Sequence, residues 1–522
     1  MSAMIEAGKP VPPAVAWITL GGCGLAAVLA GLSLQAHVLA ANDLGGSLGL
    51  SADEASWILT AGVAAEGAAV LIAAPLTASL GVRRVIAGAA VATGGLACLA
   101  QFLPAALTVI RFAQAFACAL LPVVMMVWAM RAFPPGRRGL PLMLFAFASS
   151  FPSAIAALAA GSATAHWGGA GLFIADLIWA PAVALLAMAL LPREPLQLQR
   201  LAALDWWGYA VLAAGIMLIL VALNQGERRF WMESHWMAPV VAAGTALLAL
   251  AVARLLTASN PYLDLSLLRQ PTFAIGMAEA LCLRFGVLMA GFAVPQALAR
   301  LQGFRVEQAG EAVVWLAVGQ IIGFPLAYHW LERLDGRCSM AAGLAIFAAA
   351  ALWASLINPF WQVEQFAGPM ILAGVGQGLF LTSIMTFATW NVAPAGGATA
   401  AGLFNLTRVL GTAGATAALS YGLRIRENEH SSRIVEGLTT ANEAALARLD
   451  DAARTLAAIT PDAGAAQGLA TAALARSATA QAFTLAFADV FLVIACILAG
   501  FALLVPLLPR IGAAPPNQGR PT

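Results

Sequence analysis

The sequence predicts an all-α polytopic membrane protein of about fourteen transmembrane helices, and three observations predict it. Of its 522 residues, 61% are hydrophobic and only 10% are charged, a balance far from that of chains folded in water. Apolar stretches recur from Ala14 to Leu508 with only short polar breaks, each close to the roughly 20 residues a helix needs to cross a hydrocarbon layer about 30 Å thick. The arginines, finally, crowd into alternate breaks, as expected where loops on the two sides of a bilayer differ in charge.

The elements follow in order. Residues 1–13 carry Glu6 and Lys9 and read as an N-terminal tail. The run from Ala14 to Leu39 is too long for the apolar region of a signal peptide and reads as a retained first span. Breaks then delimit spans near 14–40, 55–76, 84–103, 106–129, 140–162, 170–191, 206–224, 237–257, 272–296, 309–331, 339–357, 367–389, 399–422 and 484–508. The first six make an N-terminal six-helix bundle over 14–200; the next two are additional helices within a linker over 201–262. The last six make a C-terminal bundle over 263–508, followed by a tail at 509–522.

An even number of spans puts both termini on one side, and the arginines choose it. With the N-terminus inside, cytoplasmic loops hold Arg83, Arg84, Arg131, Arg137, Arg138, Arg193, Arg200, Arg254, Arg269, Arg333 and Arg337. Short outer loops hold only Arg228, Arg229, Arg300 and Arg305, so both termini are expected in the cytoplasm. The one sizeable break, residues 424–481, then falls outside; apolar positions at Leu446, Leu449, Ala453 and Leu456 suggest short helices there, capping the last loop or docking a periplasmic partner. A weak internal repeat pairs PLTASLGVRR from Pro75 with PLAYHWLERLDGR from Pro325, each at the cytoplasmic end of the second span of a six-span half. Such repeats accompany transporters whose substrate cavity lies at the midplane between two rocking halves.

At this point the chain resembles a known family: the fourteen-span drug:proton antiporters of the major facilitator superfamily, the EmrB/QacA-type multidrug exporters. The likeness lies in order and spacing, from SWILTAG at Ser56 through IRFAQAFACALLPVVMM at Ile110, RAFPPGRRG at Arg131, LDWWGYAVL at Leu204 and PYLDLSLLRQPTFAIG at Pro261 to AAGLFNLTRVLGTAGATA at Ala400. It implies the major facilitator fold, with two pseudo-symmetric bundles and two linker helices, and proton-driven efflux of amphipathic compounds across the inner membrane. It also implies a periplasmic adaptor and outer-membrane channel as candidate partners. Arg111 and Gln114 stand at the places expected in the fourth-span motif, and Arg83 and Arg84 belong to the loop after the second span. The chain departs from the pattern at three points: the first-span aspartate position falls on Ser33, the glycine and aspartate of the loop motif fall on Ala74 and Ala78, and the fifth-span motif is reduced to SSFPSAIAALAAG, keeping Pro152.

A charge inside hydrocarbon is costly, so each intramembrane ionisable group is a functional candidate. Glu66 lies mid-span among small residues that leave room for a cavity, and reads either as a proton or cation site or as a carboxyl paired for structure. Arg111 stays protonated and is expected to pair with a carboxylate or helix-end carbonyls near the proton site. Glu279 and Arg284 share the ninth span but stand about 140° apart on an ideal helix, so one of the two is expected at the central cavity, and Glu279 is the second carboxylate candidate. Asp176, where the family more often has asparagine, reads as a solvated residue near the outer end of the sixth span, and Arg408, a family feature, as a structural residue near the cytoplasm. His37, four residues after Ser33, is a candidate proton handler or a hydrogen-bonded residue near a helix end. Trp57, Trp128, Phe145, Phe147, Phe285, Phe292 and Phe404 are candidates for the apolar walls of a site.

Other classes find little support. The only lysine, Lys9, is followed by Pro10, so no phosphate-cradling GxxxxGK[ST] loop exists to make an ATP-driven pump. The GGSLG string at Gly45 matches a nucleophile pattern without the strand that pattern needs. The six cysteines, Cys23, Cys98, Cys118, Cys282, Cys338 and Cys496, have no metal-ligand spacing. A net charge of +2 gives no footprint for nucleic acid, and no cofactor is expected. Carbonyl-filter sequences and rings of like charge, the marks of a channel, are missing. Two alternatives stay open: an exporter of one metabolite or siderophore-like anion, with Arg111 and Arg284 as carboxylate ligands, and a sensor or scaffold that transports nothing.

Overall fold

The computed structural model describes residues 11–258, 261–333, 335–390, 392–393, 396–438, 442–458 and 462–508. The expected tails at 1–13 and 509–522 lie outside these residues, apart from positions 11–13. The membrane-crossing helices are α1 (Pro13–Leu39), α2 (Ala52–Leu80), α3 (Val82–Phe102), α4 (Leu107–Ala132), α5 (Gly139–Trp167), α6 (Ala170–Leu190), α7 (Trp206–Gln225) and α8 (Met237–Thr257). They continue as α9 (Pro271–Gln302), α10 (Val306–Arg333), α11 (Gly336–Ala354), α12 (Val363–Thr389), α13 (Gly397–Gly437) and α14 (Ala463–Leu504).

Thirteen helices among the described residues are long and apolar enough to cross a bilayer; α13, at the place of the expected span 399–422, falls outside that count. The reason is its position. It packs between α2, α4, α9 and α14 and lines an internal cavity, so its Asn405, Arg408, Thr412 and Thr416 face protein or the cavity. Span boundaries inferred from the breaks agree with the helices, save around residues 424–481. There α13 runs on to Gly437, a separate helix covers Glu443–Ala457, and α14 already begins at Ala463. The expected loop with short helices is largely a continuation of the last two spans, and Leu446, Leu449, Ala453 and Leu456 belong to the helix 443–457, which packs along α14.

Local chemistry explains the interruptions. A capping box opens α2: the Glu54 amide donates to Ser51 Oγ (3.3 Å) and the Ser51 amide to Glu54 Oε2 (2.8 Å). Gly81, at φ +84°, separates α2 from α3 in a conformation that side chains disfavour. In α5, Pro152 starts a new helical segment after Phe151, and its ring packs on Gly31 of α1. A π-turn at Met289–Ala293 interrupts α9, a kind of irregularity frequent at functional sites.

In the first bundle α2 packs on α4, α3 on α6, and α1 on α4 and α5; in the second α10 and α11 pack on α12, and α11 and α13 on α14. Small residues let backbones approach within each: a Cβ at Gly319 of α10 would lie 2.9 Å from the Gly374 Cα of α12. The bundles meet along α2 with α13 and along α5 with α10, while the α7–α8 hairpin leans on the first of these seams through α7. At the end where α1 begins, Arg138 bridges the bundles, donating to the carbonyls of Met130 (2.8 Å), Phe133 (3.1 Å) and Val392 (3.0 Å). At the other end Gly161 of α5 abuts Glu307 of α10, and Gly310 abuts Leu158. The result is a multi-pass membrane protein with a cavity between its halves.

Candidate functional site

That cavity holds about 250 Å³ and takes its wall from both bundles, with Asn224 of the linker helix α7 added. Its charged residues are Glu66 of α2, Arg284 of α9 and Arg408 of α13. Glu66 stands halfway along α2, next to Gly67, whose missing side chain makes room for Ile216 and Leu220 of α7. Its Oε1 accepts from Arg408 Nη2 at 2.6 Å, an ion pair between the two bundles. Arg408 lies eleven residues after Gly397, where α13 begins, so the expected place near the cytoplasm is corrected: its head reaches the midpoint of α2. Glu66 is thus paired, and the pair faces the cavity.

The polar wall runs through Gln35, Ser149, Ser150, Ser153 and Gln377. Gln320 extends it between bundles, donating to Gln377 Oε1 (2.9 Å) and to the Ser150 carbonyl (3.4 Å) beside the Pro152 break. Of the seven aromatic candidates only Phe292 and Phe404 line the cavity. Trp128 is fully buried and donates to the Ala16 carbonyl (3.0 Å), Phe145 is fully buried as well, and Trp57 lies against Trp236.

A second polar cluster sits inside the first bundle. Asp176 is 1% exposed and accepts three hydrogen bonds, from Gln114 Nε2 (2.7 Å), Trp179 Nε1 (2.8 Å) and Ser33 Oγ (3.0 Å). The expectation of a solvated residue near a helix end is thereby corrected: Asp176 lies in the first turns of α6, but its carboxylate is buried against the side chains of Ser33 from α1 and Gln114 from α4. Arg111 Nη1 donates to Gln114 Oε1 (3.0 Å), so the guanidinium reaches the carboxylate through an amide relay. Gln114, absent from every charge-based argument, orders the whole cluster. His37 donates from Nδ1 to the Ser33 carbonyl (2.8 Å), as expected of a helix-end histidine, and leaves Nε2 buried without a partner. Between the cluster and the central cavity lies a pocket of about 20 Å³ lined by His37, Gly62, Glu66 and Arg111, room for one water with polar neighbours.

Glu279 is buried with Oε2 unpartnered and does not line the cavity; no ion pair joins it to Arg284, in line with their angular separation. Of the two, Arg284 is the cavity residue. The loop after α2 uses a carboxylate that the motif did not point to: Glu194, following α6, accepts from the Val82 amide (2.8 Å) and pairs with Arg131, while its carbonyl accepts from Arg84 Nη1 (2.9 Å). Arg83 is buried beside it with Nη1 unpartnered.

Residues 23–416 match the family model of the Major Facilitator Superfamily. Among curated proteins, the chain is 24% identical over 446 residues to the multidrug export protein EmrB of Escherichia coli K12, covering 83% of this chain and 85% of that one. It is 23% identical over 506 residues to the fatty acid resistance protein FarB of Neisseria gonorrhoeae, covering 96% of each. Among solved structures, the proton:xylose symporter XylE superposes with a TM-score of 0.55 at 11% identity, over 95% of this chain and 96% of that one, a likeness of fold alone.

Proposed function

The chain belongs to the major facilitator superfamily, and from that premise we propose that it exports amphipathic compounds across a bacterial inner membrane by proton antiport and alternating access. The observation that carries this reading is the Glu66–Arg408 ion pair, which spans the two bundles inside a cavity walled by both. A deprotonated Glu66 holds α2 to α13; a proton on its carboxyl ends the charge pairing and frees the bundles to rock about the cavity. Substrate enters the cavity on one side, the proton on the other, and each displaces the other's hold on the pair. Arginine placement supports termini on the cytoplasmic side. Relatives named for multidrug export and fatty acid resistance agree with a range of amphipathic cargo.

The test is proton movement in proteoliposomes under an imposed pH gradient, with cationic and anionic amphiphiles added in turn. Substrate-triggered proton flux in the wild type, abolished in Glu66→Gln, supports antiport through this carboxyl. Substrate flux without proton flux points to another coupling, and no flux for any compound favours the scaffold alternative.

A further inference from the structure

Arg284 is the one charge in the cavity wall without a counter-charge. Its side chain is 7% exposed, yet its only hydrogen bond runs from Nε to the carbonyl of Ala280 one turn back (3.3 Å). Neither Nη has a hydrogen-bond or ion-pair partner among the described residues. Its stem is held in place by α13, where a Cβ on Gly411 would come within 2.6 Å of the Arg284 Cγ. The acidic residue nearest in sequence, Glu279, points elsewhere, and Glu66 is engaged by Arg408. With Glu66, Arg284 and Arg408 as its ionisable groups, the wall carries one net positive charge (−1 + 1 + 1).

A guanidinium that faces a largely enclosed cavity without a counter-charge favours an anion there, and its planar fork suits a carboxylate or a similar anion. From Arg284 the cavity-facing residues of α9 continue as Val287 and Leu288, at i+3 and i+4 on its helix face, and as Gly291 and Phe292 in the π-turn. Cationic head and apolar stripe follow each other on a single surface. A cationic ligand, by contrast, meets two arginines and a carboxylate already in use.

We propose that Arg284 binds the head of a singly charged amphipathic anion whose apolar part lies along Val287, Leu288 and Phe292. This rests on the reading of the cavity as a transport site and names the class of cargo it takes. Such an anion has two sources, the bilayer, as an acyl carboxylate, and the aqueous phase, as an aromatic one.

Purified full-length protein in lipid nanodiscs, without any proton gradient, is titrated with tritiated laurate and tritiated 2-naphthoate, empty nanodiscs giving the background. Dodecanol and dodecyltrimethylammonium serve as uncharged and cationic competitors. In the wild type the carboxylates bind and neither competitor displaces them efficiently; Arg284→Gln weakens them by about 10- to 100-fold, and Arg284→Lys recovers part of the loss. Saturable binding of laurate alone assigns the bilayer source, and of naphthoate alone or of both admits the aqueous one; each supports the anion site. Equal displacement by dodecanol in the wild type, or unchanged carboxylate affinity in Arg284→Gln, overturns it. Because no gradient is applied, failure of proton antiport leaves this binding intact, so the two readings fail separately.

Discussion

The Ser33 hydroxyl on α1 donates to the Asp176 carboxylate on α6 across 3.0 Å. In the family resemblance the carboxylate of this neighbourhood belongs to α1; here the hydroxyl stands on α1 and the acid comes from α6. The same helix and its exit also supply Glu194 to the loop where the motif aspartate gives way to Ala78. Asp176→Asn should therefore impair transport more than Ser33→Ala, which deletes one of three donors and costs about 1 kcal/mol of stability. Ser33→Asp alone places two carboxylates side by side and destabilises, whereas Ser33→Asp combined with Asp176→Ser recovers folding. Thermal melts and resistance assays on the four variants check this order.

The Glu66–Arg408 pair should show charge-swap behaviour. Glu66→Arg and Arg408→Glu each leave like charges across the seam and lose transport, and the double exchange regains part of it. The cost of breaking the pair should fall short of the roughly 3–5 kcal/mol of a fully enclosed one, because the Glu66 and Arg408 side chains are 14% and 20% exposed. Efflux rates and melting temperatures of singles and double measure the coupling.

Contact at the far end of the seam depends on missing side chains. A Cβ at Gly310 would collide with the backbone of Leu158, so Gly310→Val should hold α5 and α10 apart. Expression is expected to persist while efflux falls at least about ten-fold, as for a conformational step that no longer completes. Cysteine cross-linking between α5 and α10 should fail in this variant.

The linker hairpin offers a pH-dependent contact outside the membrane. Asp205 caps α7, accepting from the Gly208 amide (2.9 Å) and from Arg254 Nε of α8 (2.8 Å). Hydrogen bonding from Arg254, with help from the cap, holds its carboxyl below the usual carboxylate range. A depressed value means stabilisation that is complete above the unfolded value of about 3.9 and lost as pH falls through the folded one. Asp205→Ala should cost about 1 kcal/mol as a lost cap near neutrality and progressively less in acid, read from melts across pH.

Spans were legible because hydrocarbon imposes one length and one composition on every crossing helix, so the edges of α3 or α8 can be read from breaks alone. Glu66, Arg111 and Arg284 were legible for the same reason, charge being conspicuous in an apolar run. Their partners were not. Arg408 pairs with a residue 342 positions away, and Asp176 meets Ser33 and Gln114 only because the fold brings side chains of α1 and α4 to α6. Span periodicity holds no record of which helices are neighbours, and a helix-end aspartate looks solvated until the neighbour that covers it is known. The long break misled for another reason: its mixed charge marks where lipid ends, and helices do not have to end there.

The 41 residues of α13 make a rod about 60 Å long, some twice the thickness of the hydrocarbon layer it crosses. Since Arg408 sits in its membrane-crossing part, a tilt of about 10° around that point swings the distant tip by roughly 8 Å at 1.5 Å per residue. Under the proposed cycle the helix would act as a pointer, magnifying at Gly437 a motion that is small at the Glu66–Arg408 pair. A spin label or fluorophore placed on its outer turns would read the transport cycle from outside the bilayer, far from any residue that touches cargo.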